Sequence, residues 1–381
     1  MDKVRIGVLS HAHGHSNAYC RKMLEFDDVD LVACWDDNED RGREAAAGFG
    51  MEYRGNPEAV TADPDIDAVI VTMETNRHAQ FVEQAAEAGK AILCQKPLAT
   101  TLEDCDRIIE AVSRTGVKFS VAFQMRQDPV NRKIKELVDA NAVGEIAVVR
   151  RRHCIGVLNN EGFFTGPTRW HVDPVSNVGM FFDDAIHAAD WFYWTFGPAK
   201  RVMAEIDNVV SRIAPDDNGI ALFRFENGAI GTLFNGSTTV AGVNTTEIYG
   251  SEGTIIQDFG DAPSTSAPRP PAAAPLRMIR QGDAEWQEFN LPIPDSQGER
   301  IAGVPRPFID YVRGLSDEHV SAEEGRKSVE MILGAYRSAR SRRSARPRRP
   351  GCRVRTAGRV RAGRPSSWSS DRRNPAGLRD P

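Results

Sequence analysis

"VRIGVLSHAHGHSNAY", residues 4–19, opens as an aliphatic run and then sets His11, His13 and His15 at every second position. The near-continuous apolarity of its first six residues suits a strand covered on both faces. The turn after that strand decides the fold. A dinucleotide-binding turn carries G-x-G-x-x-G there, for a tight turn, close approach to a pyrophosphate and helix packing. Laid after "IGVL", the pattern puts Ser10, Ala12 and His15 where glycines belong, with Gly14 one place away. Ser and Ala are the next smallest residues, and backbone N–H groups at a helix N-terminus hold pyrophosphate without a particular side chain. Ser10, His11, Ala12, His13, Gly14 and His15 are therefore candidate cofactor contacts. A rival reading takes His11 and His13 as an H-x-H metal pair, since alternate residues of an extended segment share a face. The metal-dependent hydrolase it implies needs further ligands and eight strand–helix units, and the other histidines mostly fall outside strand ends. No metal site is expected.

Outward from the turn, strand-like runs recur at 30–35 ("DLVACW"), 67–72 ("DAVIVT"), 91–94 ("AILC") and 117–123 ("VKFSVAF"), with helical patterns between them. Gly89 is placed to cap one helix, and Thr100 with Glu103 makes the S/T-x-x-E signature that opens another. The alternation reads as a doubly wound parallel sheet. At the end of the second run, Asp36 stands where an acid accepts hydrogen bonds from the adenosine ribose, with Asp37 behind it. Two carboxylates repel a 2′-phosphate, so NAD is favoured over NADP. Asp36 can also cap the helix that starts near Asn38.

After about residue 125 the pattern changes to a helix and then polar-alternating strands, "EIAVVRRRHC", "NGIALFRFENGAIGTLFNGST", "TTEIYGSEGTIIQD" and "RMIRQGDAEWQEFN". Asn227-Gly228 between two runs signals a hairpin. This half reads as an α+β domain with an open-faced, mostly antiparallel sheet, interrupted by a Pro/Ala-rich loop at 262–275 and closed by a helix at 321–339. The expected division is a dinucleotide-binding domain at 1–123, a substrate-binding and oligomerisation domain at 124–339, and a disordered Arg/Pro-rich tail at 340–381.

The net charge of −5 conceals that tail: residues 340–381 hold 14 Arg against Asp371 and Asp380, so the tail carries +12 and the remainder −17. An acidic body gives no electrostatic footprint for nucleic acid. The tail reads either as a basic arm or as text from a GC-rich gene read out of frame. Six scattered cysteines without a C-x-x-C pair suit a reducing compartment. No apolar run approaches a membrane span and no signal core precedes the first strand, so a cytoplasmic protein is expected.

The chemistry concentrates in two stretches. In "AILCQKPLATTLEDC" (91–105), Lys96 follows a buried strand and precedes Pro97, which fixes its direction toward the crevice where such sheets bind ligands. In "GMFFDDAIHAADWFYWTFG" (179–197), Asp183 and His187 lie at i and i+4 on a mostly apolar helix, with Asp190 one turn on. A carboxylate and an imidazole there must pair with each other or serve a site.

"CQKPLA", the D-x-x-x-H of Asp183 and His187, "FQMRQDP" at 123–129 and "SAEEGRKSVEMI" together resemble the glucose–fructose oxidoreductase, inositol dehydrogenase and MocA (Gfo/Idh/MocA) family over nearly all of residues 3–339. The resemblance implies a Rossmann domain, an open-faced sheet domain that often forms dimers or tetramers, and NAD(P)-dependent oxidation or reduction of a sugar, cyclitol or related polyol. It implies that His187 takes the hydroxyl proton, that Lys96 stabilises the developing charge on the same oxygen, and that Asp183 orients substrate or imidazole. The cofactor cleft it implies runs past Thr72, Met73, His78, Gln95 and Lys96, and its substrate side past Arg126, Arg169, Trp170 and His171. Gln95 replaces the usual glutamate before the lysine, and "MET" at 73–75 replaces the frequent "TPN". Non-catalytic nucleotide- or sugar-binding relatives and NAD-dependent glycosidases share the fold and stand as alternatives.

Overall fold

β1 (Val4–Leu9) forms where the aliphatic run lies, and it is buried at all but one position. Its pairing explains that burial: the first sheet has the order β3-β2-β1-β4-β5-β6, all parallel, with β2 at Val29–Trp35, β3 at Glu52–Tyr53, β4 at Ala68–Val71, β5 at Ala91–Cys94 and β6 at Phe119–Val121. A central parallel strand is covered by helices on both faces and so requires an apolar sequence throughout. The computed structural model describes residues 3–258, 270 and 272–341; most of the Pro/Ala-rich loop and the expected disordered tail lie outside them.

The helices between these strands are α1 (His15–Met23), α2 (Glu39–Phe49), α3 (Glu58–Thr61), α4 (His78–Glu87) and α5 (Leu102–Thr115). Two capping expectations shift by a residue or more. The α5 cap is Thr101, whose side chain accepts from the Asp104 N–H, and not Thr100 with Glu103. α2 is capped by Asn38, which accepts from Arg41 N, while Asp36 Oδ1 accepts from Asn38 N. In both cases adjacent residues can serve, and the chain's exit direction from the preceding strand selects between them.

The second sheet has eight strands in the order β14-β13-β12-β11-β7-β10-β9-β8. They are β7 (Ile146–Cys154), β8 (Ala199–Asp207), β9 (Asn218–Phe225), β10 (Ile230–Gly236), β11 (Thr246–Gly250), β12 (Gly253–Gln257), β13 (Leu276–Arg280) and β14 (Gln287–Phe289). All neighbours are antiparallel except β7 and β10. The β9–β10 hairpin turns at Asn227-Gly228, where Gly228 has φ +97°, a conformation that favours glycine. β8 is weakly marked in the sequence because Lys200 and Arg201 interrupt its alternation and the apolar Met203 lies on its exposed face.

Helices α6 (Pro129–Asp139), α7 (Glu161–Thr165), α8 (Pro174–Asn177), α9 (Met180–Phe196), α10 (Gln297–Ala302), α11 (Pro305–Val312) and α12 (Ala322–Arg340) complete the described chain. α9 is buried without interruption from Met180 to Phe192, as an apolar helix enclosed on all sides must be. Phe192 packs on Phe223 and Phe225 of β9, each burial contributing about 2 kcal/mol. Against the other side of the first sheet, Ile301, Phe308 and Ile309 of α10 and α11 join Ile6, Val8 and Tyr19 in one core. The chain's late helices therefore close the face of its first sheet. Among the described residues no helix is long and apolar enough to cross a membrane.

Candidate active site

Strand order reverses at β1, which pairs with β2 on one side and β4 on the other, and this opens a crevice at the strands' C-terminal ends. The histidine-rich turn lies there. Ser10 has φ +73°, the left-handed conformation that a glycine ordinarily supplies. Its hydroxyl offsets the strain locally, accepting from Ala12 N at 3.1 Å and donating to Asp36 Oδ2 at 3.3 Å. Thr72 Oγ1 donates to the Ser10 carbonyl at 2.7 Å, and His13 N donates to the Thr72 carbonyl at 3.0 Å. Thr72 thus fastens the turn to β4. A Cβ added at Gly14 would meet nothing within 4 Å, so open space adjoins the start of α1.

The H-x-H metal pair does not form. The chain between β1 and α1 is turned, not extended, so His11 and His13 diverge. His11 stacks 6.2 Å from the Phe49 ring, with Nδ1 near Ser16 Oγ and Asn17 Oδ1, whereas His13 faces His15, Trp170 and His171. No group of three or more His, Cys, Asp or Glu among the described residues is arranged to hold a metal ion.

At the end of β2, Asp36 is a hub. His11 N donates to Oδ2 at 2.6 Å, and Arg41 binds both oxygens, through Nε at 2.9 Å and Nη2 at 2.6 Å. Asp37 pairs with Arg41 and Arg77, and Arg77 reaches Glu74 at 3.1 Å. The sequence marked both acids but not the two arginines that face them.

Lys96 leaves β5 at the same edge of the sheet. Its Nζ lies 3.1 Å from Asp183 Oδ1, with side chains only 4% and 6% exposed. Burial pushes the Asp183 carboxyl up, but Lys96 and His171 together outweigh it and hold the group below its ordinary value. His171 Nε2 stands 3.9 Å from Asp183 Oδ2. His187, one turn along α9, is pushed well below the usual imidazole range by burial and then by Lys96, so it is a neutral acceptor. Gln124 Nε2 lies 3.5 Å from His187 Nε2.

Gln95 accounts for the missing glutamate. Its amide nitrogen lies 2.8 Å from His15 Nδ1 and 3.0 Å from His13 Nε2, while its oxygen accepts from Tyr19 OH at 3.0 Å. An amide supplies the donors that two neutral imidazoles can accept, and burial followed by nearby charges pushes both imidazoles well down. His78 lies in the core. Its ring meets the carbonyls of Met73, Pro97 and Leu98, and burial pushes it down to about 4. It latches the loop after Lys96, and Met73 is buried behind it.

Lys96, Asp183 and His187 line a cavity of about 220 Å³ with His13, Gly14, His15 and His171. Trp170 stacks on His171 at 3.6 Å and donates to the Ala12 carbonyl at 3.2 Å, which ties this segment to the turn. Two expected substrate contacts are elsewhere. Arg126 makes a bidentate pair with Asp190 and reaches Glu324, and Arg169 is exposed. Among the cavity residues not singled out in the sequence are Gln124, His153 and Asp184. Asp184 could have been suspected as a second carboxylate in an apolar helix; His153 carried no local signal.

Residues 6–123 match the profile of the oxidoreductase family with an NAD-binding Rossmann fold, and residues 131–256 match the Gfo/Idh/MocA C-terminal domain. The chain belongs to the Gfo/Idh/MocA family of oxidoreductases. It is 29% identical over 355 residues to myo-inositol 2-dehydrogenase of Thermotoga maritima, covering 90% of this chain and 98% of the relative. It is also 29% identical over 233 residues to the NAD(+)-type scyllo-inositol 2-dehydrogenase of Bacillus subtilis, covering 59% of this chain and 65% of that one. The crystal structure of a probable dehydrogenase from Thermotoga maritima superposes with a TM-score of 0.72 at 25% identity, over 89% of this chain and 98% of the other. The Rossmann domain and the mostly antiparallel second sheet of this Gfo/Idh/MocA oxidoreductase are thus shared with its relatives.

Proposed function

We propose that the protein is an NAD-dependent dehydrogenase of a neutral polyol, with His187 as base, Lys96 as the cation on the reacting oxygen and Asp183 as the group that positions Lys96. The observation that carries this reading is the buried Lys96–Asp183 pair, which shares one cavity with a neutral His187 at the edge of the dinucleotide crevice. A neutral imidazole can accept the proton of a secondary hydroxyl, and an adjacent ammonium lowers the cost of alkoxide character. Asp183 keeps that ammonium directed into the cavity.

The residues of the turn fit a nicotinamide dinucleotide. Ser10 keeps the glycine conformation, Ala12 is small and Gly14 leaves open space. Ser10, His11, Ala12, His13, Gly14 and His15 would hold the pyrophosphate side, with Asp36 toward the ribose. When bound, the cofactor supplies the hydride acceptor. Asp36 and Asp37 favour NAD over NADP, because Arg41 is committed to both carboxylates and is not free for a 2′-phosphate. Residues 1–123 then serve as the cofactor domain and 124–339 as the substrate and assembly domain, with α10 and α11 reaching back to the first sheet. The names of the two relatives, both inositol dehydrogenases, support a cyclitol or related sugar. Five buried unpaired cysteines among the described residues suit a reducing, cytoplasmic setting. Met203, Ile220, Leu222, Phe234 and Tyr249 lie exposed on the open face of β8 to β11 and suit a homodimer or homotetramer; a monomer in light scattering would remove that part of the reading.

The test is a fluorescence titration with NADH and, separately, NADPH, followed by NAD⁺ reduction assays on inositols and simple sugars. Micromolar NADH binding with polyol-dependent NADH formation is the expected result. No binding of either nucleotide would overturn the proposal.

A further inference from the structure

Asp184 and His187 stand three residues apart on α9, so their side chains leave one face of the helix with Cβ atoms about 5–6 Å apart. Both line the cavity. The Ser237 hydroxyl donates to Asp184 Oδ2, and no described residue bonds Oδ1, which is left to the cavity. The proposed proton and hydride transfers make no use of this carboxyl group. It also has no cation of its own, since Lys96 is paired with Asp183. A buried carboxylate without a cation is costly, and burial, followed by repulsion from Asp183, pushes the group up to about 7, so that near neutral pH it is divided between acid and carboxylate. The acid donates and accepts and the carboxylate accepts, so either form matches a hydroxyl group.

We propose that Asp184 binds a second hydroxyl of the substrate, near the one His187 deprotonates, and thereby selects neutral polyhydroxylated rings over rings carrying a carboxylate or phosphate. This rests on the dehydrogenase reading. The helix spacing is what allows one ring to meet both side chains. An anionic substituent would instead face Asp183 and the ionised form of Asp184 across a cavity whose lysine is already paired, and where burial pushes His13, His15 and His187 well below the usual imidazole range.

The experiment measures kcat and KM with NAD⁺ for myo-inositol and the quercitols, which lack one ring hydroxyl, and for D-glucose and D-glucuronate. The unaltered protein, Asp184→Leu and Asp184→Asn are compared, and an NADH titration checks that each variant folds. The unaltered protein is expected to prefer myo-inositol over at least one quercitol by about tenfold or more in kcat/KM, carried by KM. Asp184→Leu should abolish that preference while kcat changes by no more than about threefold. D-glucose should exceed D-glucuronate, and Asp184→Asn, which keeps the size of the side chain, should narrow that gap. Unchanged preferences in both folded variants would overturn the role of Asp184 and leave the dehydrogenase reading standing. If only Asp184→Asn folds, an unchanged glucose-to-glucuronate ratio overturns it. Absence of NADH formation from any of these compounds by the unaltered protein would instead remove the reading on which the proposal rests.

Discussion

Lys96 Nζ sits 3.1 Å from Asp183 Oδ1 and 3.3 Å from the carbonyl oxygen of the same residue, joining the end of β5 to the first turn of α9. One ion pair thereby couples a cofactor-side strand to a substrate-side helix. Removing one partner leaves the other buried and unpaired. Lys96→Met should therefore cost about 3–5 kcal/mol of stability, and the double change Lys96→Met/Asp183→Leu clearly less. Urea unfolding of the four proteins of this cycle measures both.

His187→Ala should lower turnover by about 100-fold or more, the ordinary contribution of a general base, with NADH affinity nearly unaltered. Steady-state kinetics and nucleotide titration on one preparation check the two halves. Equal turnover would remove His187 from its proposed role.

Ser10 holds a left-handed conformation that costs a residue with a Cβ about 1 kcal/mol. Ser10→Gly relieves that cost and loses the hydroxyl; Ser10→Ala loses the hydroxyl and keeps the cost. The glycine variant should therefore be the more stable of the two by about 1 kcal/mol in urea unfolding. The reverse order would mean that the turn relaxes.

At the ribose end, Asp36 and Asp37 hold Arg41. Replacing both acids with Ser frees the guanidinium and removes two charges that oppose a 2′-phosphate. NADPH affinity relative to NADH should rise by about tenfold or more, equivalent to ~1.4 kcal/mol. Parallel fluorescence titrations of the two nucleotides decide it.

Acidification should destabilise the protein between pH 7 and 5. His78 has a folded value of about 4, against 6.5 in the unfolded chain, so its contribution is complete above pH 6.5 and is lost as pH falls toward 4. His13, His15 and His187 are lowered and act in the same direction. Asp184 opposes them: raised to about 7, it contributes stability that is present below its unfolded value of 3.8 and lost as pH rises through 7. Asp184→Asn should consequently steepen the gain in urea midpoint from pH 5 to 7. A shallower slope in that variant would contradict the assignment.

The residues differed in how much of their surroundings could be read in advance. Lys96, Asp183 and His187 stand in short motifs whose spacing and apolar flanks announce a site, and the structure brings them to one cavity. Ser10 was legible as a small residue at a glycine position, but its positive φ and the Thr72 bond that secures it were not. Arg126 was a plausible substrate contact by motif alone. Its pairing with Asp190 and Glu324 depends on α9 and α12 meeting, which local pattern does not encode.

By itself, the sequence determined the alternation of strand and helix, the parallel first sheet, the polar-alternating second sheet and the chemical residues at their strand and helix ends. Each of these derives from hydrophobic period and from the residue types flanking it. Tertiary structure alone decided that His11 and His13 diverge, that Gln95 carries the histidine pair, that His78 is a latch and that Asp184 and His153 line the cavity. Those outcomes depend on which side chain from a distant element arrives opposite, and in a buried setting a polar group's role is fixed by the partner it meets.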